Sequence, residues 1–408
     1  MAHQHIKLFD PEIYQTIIEQ QRQQNSIELI ASENYQSNSV LEAQSSHFAN
    51  KYSEFPGKRY YGGQTFTDQM ESIAIERAKK LFRADHANVQ ALSGAAANVC
   101  IYAGLLEPGD TILMDLSYGH LTHAPVTFIS KIFNFVYKTL KNNIDYQEIE
   151  KLADIHKPKM ILAGFSAYPR NIDFAKFKKI DKTAILFADM SHIGFIASGI
   201  LENPLDFGFH VMMTTTHKSL RGPRAIILSK VVSNPLKKPE DTIENIPTRI
   251  DRAVFPGVQP HMNTISAIAI ALKEASTVEF KEYAKQTLQN AKTMAESFIE
   301  LYKLTTGTDN HMIIVDFSET EFDKEVENLL DKIGISTSKS TIPDDHRPPF
   351  RPSGVRIAPA MTTRAKEKDF RQIVEFIDQA IKNRNNIDEL EKLKKQVAEF
   401  SQQFPVPL

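Results

Sequence analysis

Four short apolar runs limit what this chain can fold into. Thr111-Ile112-Leu113-Met114, Lys159-Met160-Ile161-Leu162-Ala163, Ala184-Ile185-Leu186-Phe187-Ala188 and Phe209-His210-Val211-Met212-Met213 each read as a strand, with helical patterning between them. Two further runs, Ala87 to Leu92 and Ala225 to Ser229, read the same way. Strands that alternate with helices build a doubly wound, mostly parallel α/β sheet. Such sheets place their chemistry beyond the carboxyl ends of the strands. The first candidates are therefore the polar residues that follow the runs: Ser166 after Gly164-Phe165, Asp189 and His192 around Met190-Ser191, and Lys218 after Thr214-Thr215-Thr216-His217.

Lys218 is a Schiff-base candidate. Threonine hydroxyls beneath it are placed to hold its amine, and Arg221 and Arg224 would favour the neutral, nucleophilic form by like-charge repulsion. A single lysine at a strand end is more often only solvated, and a single aspartate such as Asp189 is as often a capping carboxylate. What raises both above that reading is the company they keep. The run into Ser93-Gly94-Ala95-Ala96 is a strand, a small-residue turn and a helix start, which is an anion site through its free N–H groups and dipole. Tyr52-Ser53-Glu54 and Tyr60-Tyr61-Gly62-Gly63 concentrate phenols and a carboxylate in a loop. Arg356, after the stiff turn Pro348-Pro349-Phe350-Arg351-Pro352, is suited to bidentate capture of a carboxylate. His120 and His123 stand three apart with no clear third ligand, so no metal site is expected.

Composition sets outer bounds. With 408 residues, 42% hydrophobic, the chain is long enough for two cores. Lys plus Arg number 48 against 50 for Asp plus Glu, so no bulk field draws it to nucleic acid or an acidic membrane. The single cysteine, Cys100, rules out a disulfide framework. Met1 to Asp10 is polar and no apolar run approaches the roughly 18 residues of a membrane span, so a cytoplasmic protein is expected. The patterning predicts an N-terminal helical arm over 1–45, a large sheet domain over 46–273 and a smaller C-terminal α+β domain over 274–408. Helices are expected from Asp10, over Thr67 to Phe82, and from Glu274 to Leu301 as the bridge between domains.

A lysine for an imine, an aspartate for a pyridinium nitrogen, a histidine for a ring face, a helix start for phosphate and an arginine for a carboxylate are the equipment of a pyridoxal-phosphate enzyme. The wording goes further. I-A-S-E-N-Y, P-G-K-R-Y-Y-G-G, G-H-L-T-H, G-F-S-A-Y, T-T-T-H-K-S-L-R-G-P-R and T-D-N-H closely resemble serine hydroxymethyltransferase, from about Ile27 to the final helices. The resemblance implies a fold type I pyridoxal-phosphate transferase. It also implies an obligate homodimer, or a dimer of dimers, with shared active sites.

Residue by residue, the resemblance implies that Lys218 holds pyridoxal phosphate, Asp189 pairs with its ring nitrogen, His120 stacks on the ring, and Ser166 and His192 lie by its phenolic oxygen. Gly94, Ala95, Tyr52 and Gly257 would reach the phosphate, Tyr52 and Gly257 from the neighbouring subunit. Ser32, Tyr61, His192 and Arg356 would hold the amino acid, and Glu54, also from the neighbour, would handle the proton at the serine hydroxyl. Thr215 and His217 would assist catalysis. Leu116, Leu121, Pro348, Pro349 and Phe350 match places that bind tetrahydrofolate. Three activities stay open: serine hydroxymethyltransferase, a folate-independent aldolase for β-hydroxy amino acids, and a catalytically silent dimer.

Overall fold

The computed structural model describes residues 3–23, 26–54, 59–115, 127–138, 143–180, 183–238, 245–258, 260–319, 326–348, 351–359 and 365–405. Its contacts divide the chain into two units. A sheet unit comprises Gln36–Lys285 with Thr341–Asp344, and a terminal unit comprises Met1–Tyr35, Gln286–Ser340 and Asp345–Leu408.

The first strand explains why the N-terminal residues group with the C-terminal ones. β1 (Ile27–Glu28) pairs in parallel with β11 (Ile335–Ser336), Ile27 opposite Ile335. In the same unit β9 (Lys303–Leu304), β10 (Ile313–Asp316), β12 (Ser338–Ser340) and β13 (Gly354–Ile357) form an antiparallel sheet in the order β12-β13-β10-β9. The helix Glu367–Lys382 buries Phe370, Ile373, Val374, Ile377 and Ile381, the stripe that its period predicts. These side chains share one core with Ile27, Leu29, Ile313 and Val315. Asp10 Oδ1 accepts from Ile13 N at the start of the helix Pro11–Gln23. That helix leaves Ile13 half-exposed, and Leu8 and Phe9 before it are more exposed still.

The sheet unit is built on seven strands: β2 (His86–Asn88), β3 (Thr111–Asp115), β4 (Asn134–Lys138), β5 (Met160–Ala163), β6 (Ile185–Asp189), β7 (Val211–Thr215) and β8 (Ala225–Ser229). Their order is β2-β8-β7-β6-β5-β3-β4, with β8 antiparallel to both neighbours and the other pairings parallel. β5, β6, β7 and β8 are buried at every position, which is why their sequences are apolar runs without alternation. Tyr102 from the helix Gly94–Leu105 packs edge-on against Phe133, Phe135 and Phe187 over one face.

Some elements differ from the sequence-based expectation. The expected helix Glu274 to Leu301 is the helix Val278–Ile299, while Glu274 and Ala275 end the helix Met262–Ala275; the Thr277 hydroxyl accepts from Phe280 N and starts the new one. The run Ala87 to Leu92 is a strand only to Asn88. Arg356, expected only to follow the proline turn, lies within strand β13. Among the described residues no helix is long and apolar enough to cross a membrane.

Candidate active site

β6 and β7 run side by side with Asp189 opposite Met213, so their carboxyl ends open on the same edge. At that edge the Asp189 carboxylate is held from two sides. Asn98 Nδ2 donates to Oδ2 at 2.9 Å, while Ser191 N and Ser191 Oγ donate to Oδ1 at 3.1 and 2.6 Å. Asp189 is 7% exposed, so this charge is kept dry by neighbours that satisfy it. Its field is felt nearby: burial first, and the Asp189 charge second, push the Tyr102 phenol well above its ordinary value.

Close backbone packing holds these pieces together. Gly164, at φ +127°, comes so near the end of β6 that a Cβ there would lie 2.0 Å from the Asp189 carbonyl oxygen. A Cβ on Gly94 would lie 2.9 Å from Thr215 Cγ2 and 3.4 Å from Ser191 Oγ. The start of the helix Gly94–Leu105 therefore abuts the ends of β6 and β7. Ser93 caps that helix by accepting from Ala96 N at 3.1 Å, and the first-turn N–H groups of Gly94 and Ala95 have no partner within the helix.

The threonine run is tied to the backbone around it. Thr214 Oγ1 donates to the Met190 carbonyl at 3.1 Å, Thr215 Oγ1 to that of Ser191 at 2.8 Å, and Thr216 Oγ1 to that of Pro223. Their protons brace the strand end and its loop to the backbone, which gives Lys218 a rigid mount. Lys218 itself is half-buried, three residues past β7. Arg221 lies 4.7 Å above the Tyr283 ring, and both Arg221 and Arg224 hold positive φ, 57° and 71°. His217 Nδ1 lies 3.3 Å from the Arg224 carbonyl, which can only accept, so the ring proton sits on Nδ1. Burial, then Lys218, keeps the His217 pKa below its ordinary value. His192 is buried and Ser166 half-buried at the neighbouring strand ends. A Cβ on Gly257 would come within 3.2 Å of Cys100 Sγ, which places Gly257 against the helix Gly94–Leu105.

Tyr52, Glu54 and Tyr61 form a second group. Tyr52 OH donates to Glu54 Oε1 at 2.6 Å, and the Tyr52 and Tyr61 rings meet edge-on at 5.4 Å. The hydrogen bond to Glu54 raises the Tyr52 phenol. Ser53 between them is fully buried and donates to Gln64 Oε1, so the segment is pinned by its middle residue and shows its chemistry outward. Among the described residues no hydrogen bond or ring contact joins this group to the sheet edge.

In the terminal unit Arg356 stands on β13 opposite Ile314 and Ser338, and its Nε donates to Ser338 Oγ at 3.1 Å. Burial lowers its guanidinium to about 10. Ser32 is half-buried in the turn after Ile30, whose N–H donates to Glu28 Oε1 at 2.7 Å. Burial pushes the Glu28 carboxyl up to about 8, with Glu33 adding to the rise. Pro348 is exposed and accepts from Arg351 N. Leu116, His120, Leu121, Pro349 and Phe350 lie outside the described residues. Sequence reasoning missed Asn98, Ser191 and Gly164 as supports of the edge. Asn98 was detectable as a polar residue four positions after Gly94 in an otherwise apolar helix.

The donor set fits a cofactor with a basic ring nitrogen and a phosphate: a dry, oriented carboxylate, free helix N–H groups and a lysine converge on one edge of a doubly wound sheet. The architecture is that of a fold type I pyridoxal-phosphate enzyme. The sequence model of serine hydroxymethyltransferase matches residues 6–377 of the 408. The chain belongs to the serine hydroxymethyltransferase family, whose members are pyridoxal-phosphate enzymes of serine, glycine and one-carbon metabolism.

Proposed function

We propose that the chain is a glycine hydroxymethyltransferase that interconverts L-serine plus tetrahydrofolate with glycine plus 5,10-methylenetetrahydrofolate. The observation that carries this reading is the buried Asp189 carboxylate, fixed by Asn98 and Ser191 at the edge where Lys218 emerges. Bound pyridoxal phosphate supplies an electron sink for the pair released when the Cα–Cβ bond of serine breaks. This chain's residues make the sink effective. Asp189 holds the proton at the ring nitrogen, and Asn98 and Ser191 keep its carboxylate from turning away. The N–H groups of Gly94 and Ala95 receive the phosphate, and Lys218 anchors the cofactor. His120, His192 and Ser166 position its ring.

Arg356 takes the amino acid's α-carboxylate, Ser32 and Tyr61 hold the amino acid beside it, and Glu54 moves the proton at the hydroxymethyl oxygen. Thr215 and His217 steady the lysine loop. A His217 pKa below the usual value keeps that ring neutral, so it adds no charge beside Lys218. Leu116, Leu121, Pro348, Pro349 and Phe350 provide the folate face. The outward display of Tyr52 and Glu54, and the exposed Leu8, Phe9 and Ile13, support a homodimer with shared sites. A cytoplasmic location completes the proposal.

The test is to add pyridoxal phosphate to the purified protein and to Lys218→Ala, record visible spectra, and assay glycine formation from serine with and without tetrahydrofolate. A visible band that needs Lys218, with folate-dependent glycine formation falling at least ~1000-fold in the variant, is expected. Cleavage of allo-threonine with no folate-dependent activity would replace the proposal with the aldolase. Failure to bind the cofactor would leave only the fold.

A further inference from the structure

Away from the sheet edge, the sheet unit contains a cavity of about 450 Å3. It is walled by the second half of the helix Thr65–Phe82, the turn at Ala197-Ser198, and the junction of the helices Met262–Ala275 and Val278–Ile299. None of its lining residues belongs to the candidate active site.

Its charge is one-sided. Arg77, Lys80, Lys273 and Lys281 line it, and no carboxylate does. Arg77 and Lys80 lie one turn apart on the same helix, and Arg77 Nη1 donates to the Ala269 carbonyl at 2.6 Å, which fixes that guanidinium against the opposite wall. Among the described residues none of the four forms an ion pair. The lysines beside them do: Lys79 pairs with Glu76 at 2.8 Å and Lys285 with Glu282 at 2.7 Å, one residue and four residues away from the cavity's own lysines. Four unneutralised cations around a concavity repel one another and focus a positive potential inside it. Leu81, Leu272 and Val278 give the same cavity an apolar lining, while Ser198 and Thr277 add hydroxyls.

We propose that this cavity is a binding site for a small organic polyanion of the nucleotide type, its phosphates held by Arg77, Lys80, Lys273 and Lys281 and its apolar portion laid on Leu81 and Val278. The volume is that of a small-molecule pocket. Orthophosphate alone would leave the apolar lining unused, and a neutral ligand would leave the charges unpaired.

The proposal is tested by titration calorimetry on the cofactor-saturated protein, with ATP, inorganic tripolyphosphate and a short single-stranded RNA as probes. Cofactor saturation keeps the probes from the phosphate end of the active site. ATP is expected to bind one site per chain, more tightly than tripolyphosphate, with affinity falling as salt rises. Lys80→Glu/Lys281→Glu, two exposed positions, should weaken ATP at least tenfold with an unchanged circular dichroism spectrum, whereas Lys80→Arg/Lys281→Arg should retain it. No saturable ATP binding, or binding unaltered by the double Glu variant, would overturn the site. Equal affinity for ATP and tripolyphosphate would overturn the organic portion, and RNA binding tighter than ATP would overturn the small-ligand assignment.

Discussion

The sheet edge and the tyrosine segment carry similar chemistry on opposite physical terms. At the edge, Asp189 is dry, receives three hydrogen bonds, and is locked by glycines whose Cβ atoms would collide with their neighbours. In the segment from Tyr52 to Tyr61, the buried Ser53 and the buried Arg59 guanidinium, paired with Asp68 and Glu71, anchor a strip whose phenols are 50% and 46% exposed at Tyr52 and Tyr61. In the first region function and stability are coupled through the same buried contacts. The second is anchored by its buried serine and arginine while its phenols face outward, which is the condition of a surface that does its work against something else.

Substitutions should separate the two regions. The largest effect is expected for Gly164→Ala: the added Cβ would overlap the Asp189 carbonyl at a φ of +127° that alanine avoids, costing more than about 3 kcal/mol, read as loss of a cooperative thermal transition. Asn98→Ala removes one donor from the buried carboxylate and should cost about 1–3 kcal/mol by urea denaturation, with weakened cofactor affinity in the same preparation. An edge left stable by either change would break the comparison.

A smaller, pH-dependent effect is expected at His210, whose Nδ1 accepts from Leu186 N at 2.9 Å and so requires a neutral ring. Burial, then Lys178, depresses its pKa. The unfolded chain therefore takes up a proton before the folded one does as pH falls. The contribution of His210 is complete above the unfolded value of about 6.5 and is lost as pH drops below it. The melting temperature should fall between pH 7 and pH 5, and His210→Asn should flatten that slope. Tyr52→Phe is expected to leave the melting temperature unchanged while lowering the rate of glycine formation. A clear loss of stability there would mean that the segment is packed after all.

The parallel strands were legible because burial on both faces demands unbroken apolar runs, and Asp189 and Lys218 were legible because they follow such runs. β4 was not, since Asn134 to Tyr137 are exposed or half-buried at the sheet's margin and carry no clear period. The break at Ser276-Thr277 was hidden by apolar spacing that continues across it. The supports of the site were hidden for another reason: Gly164 and Asn98 act through distances to β6 that no local pattern encodes.

The pairing of β1 with β11 also sets an order of assembly on the ribosome. Ile27 emerges early, but its partner Ile335 follows roughly 300 residues later, on the order of 15 to 60 s at ~5–20 residues per second. Apart from Thr341–Asp344, the sheet unit is one continuous stretch that ends at Lys285 and is available to fold during that wait. The first 35 residues, with their exposed Leu8 and Phe9, are then the part of the nascent chain that must be kept from aggregating longest.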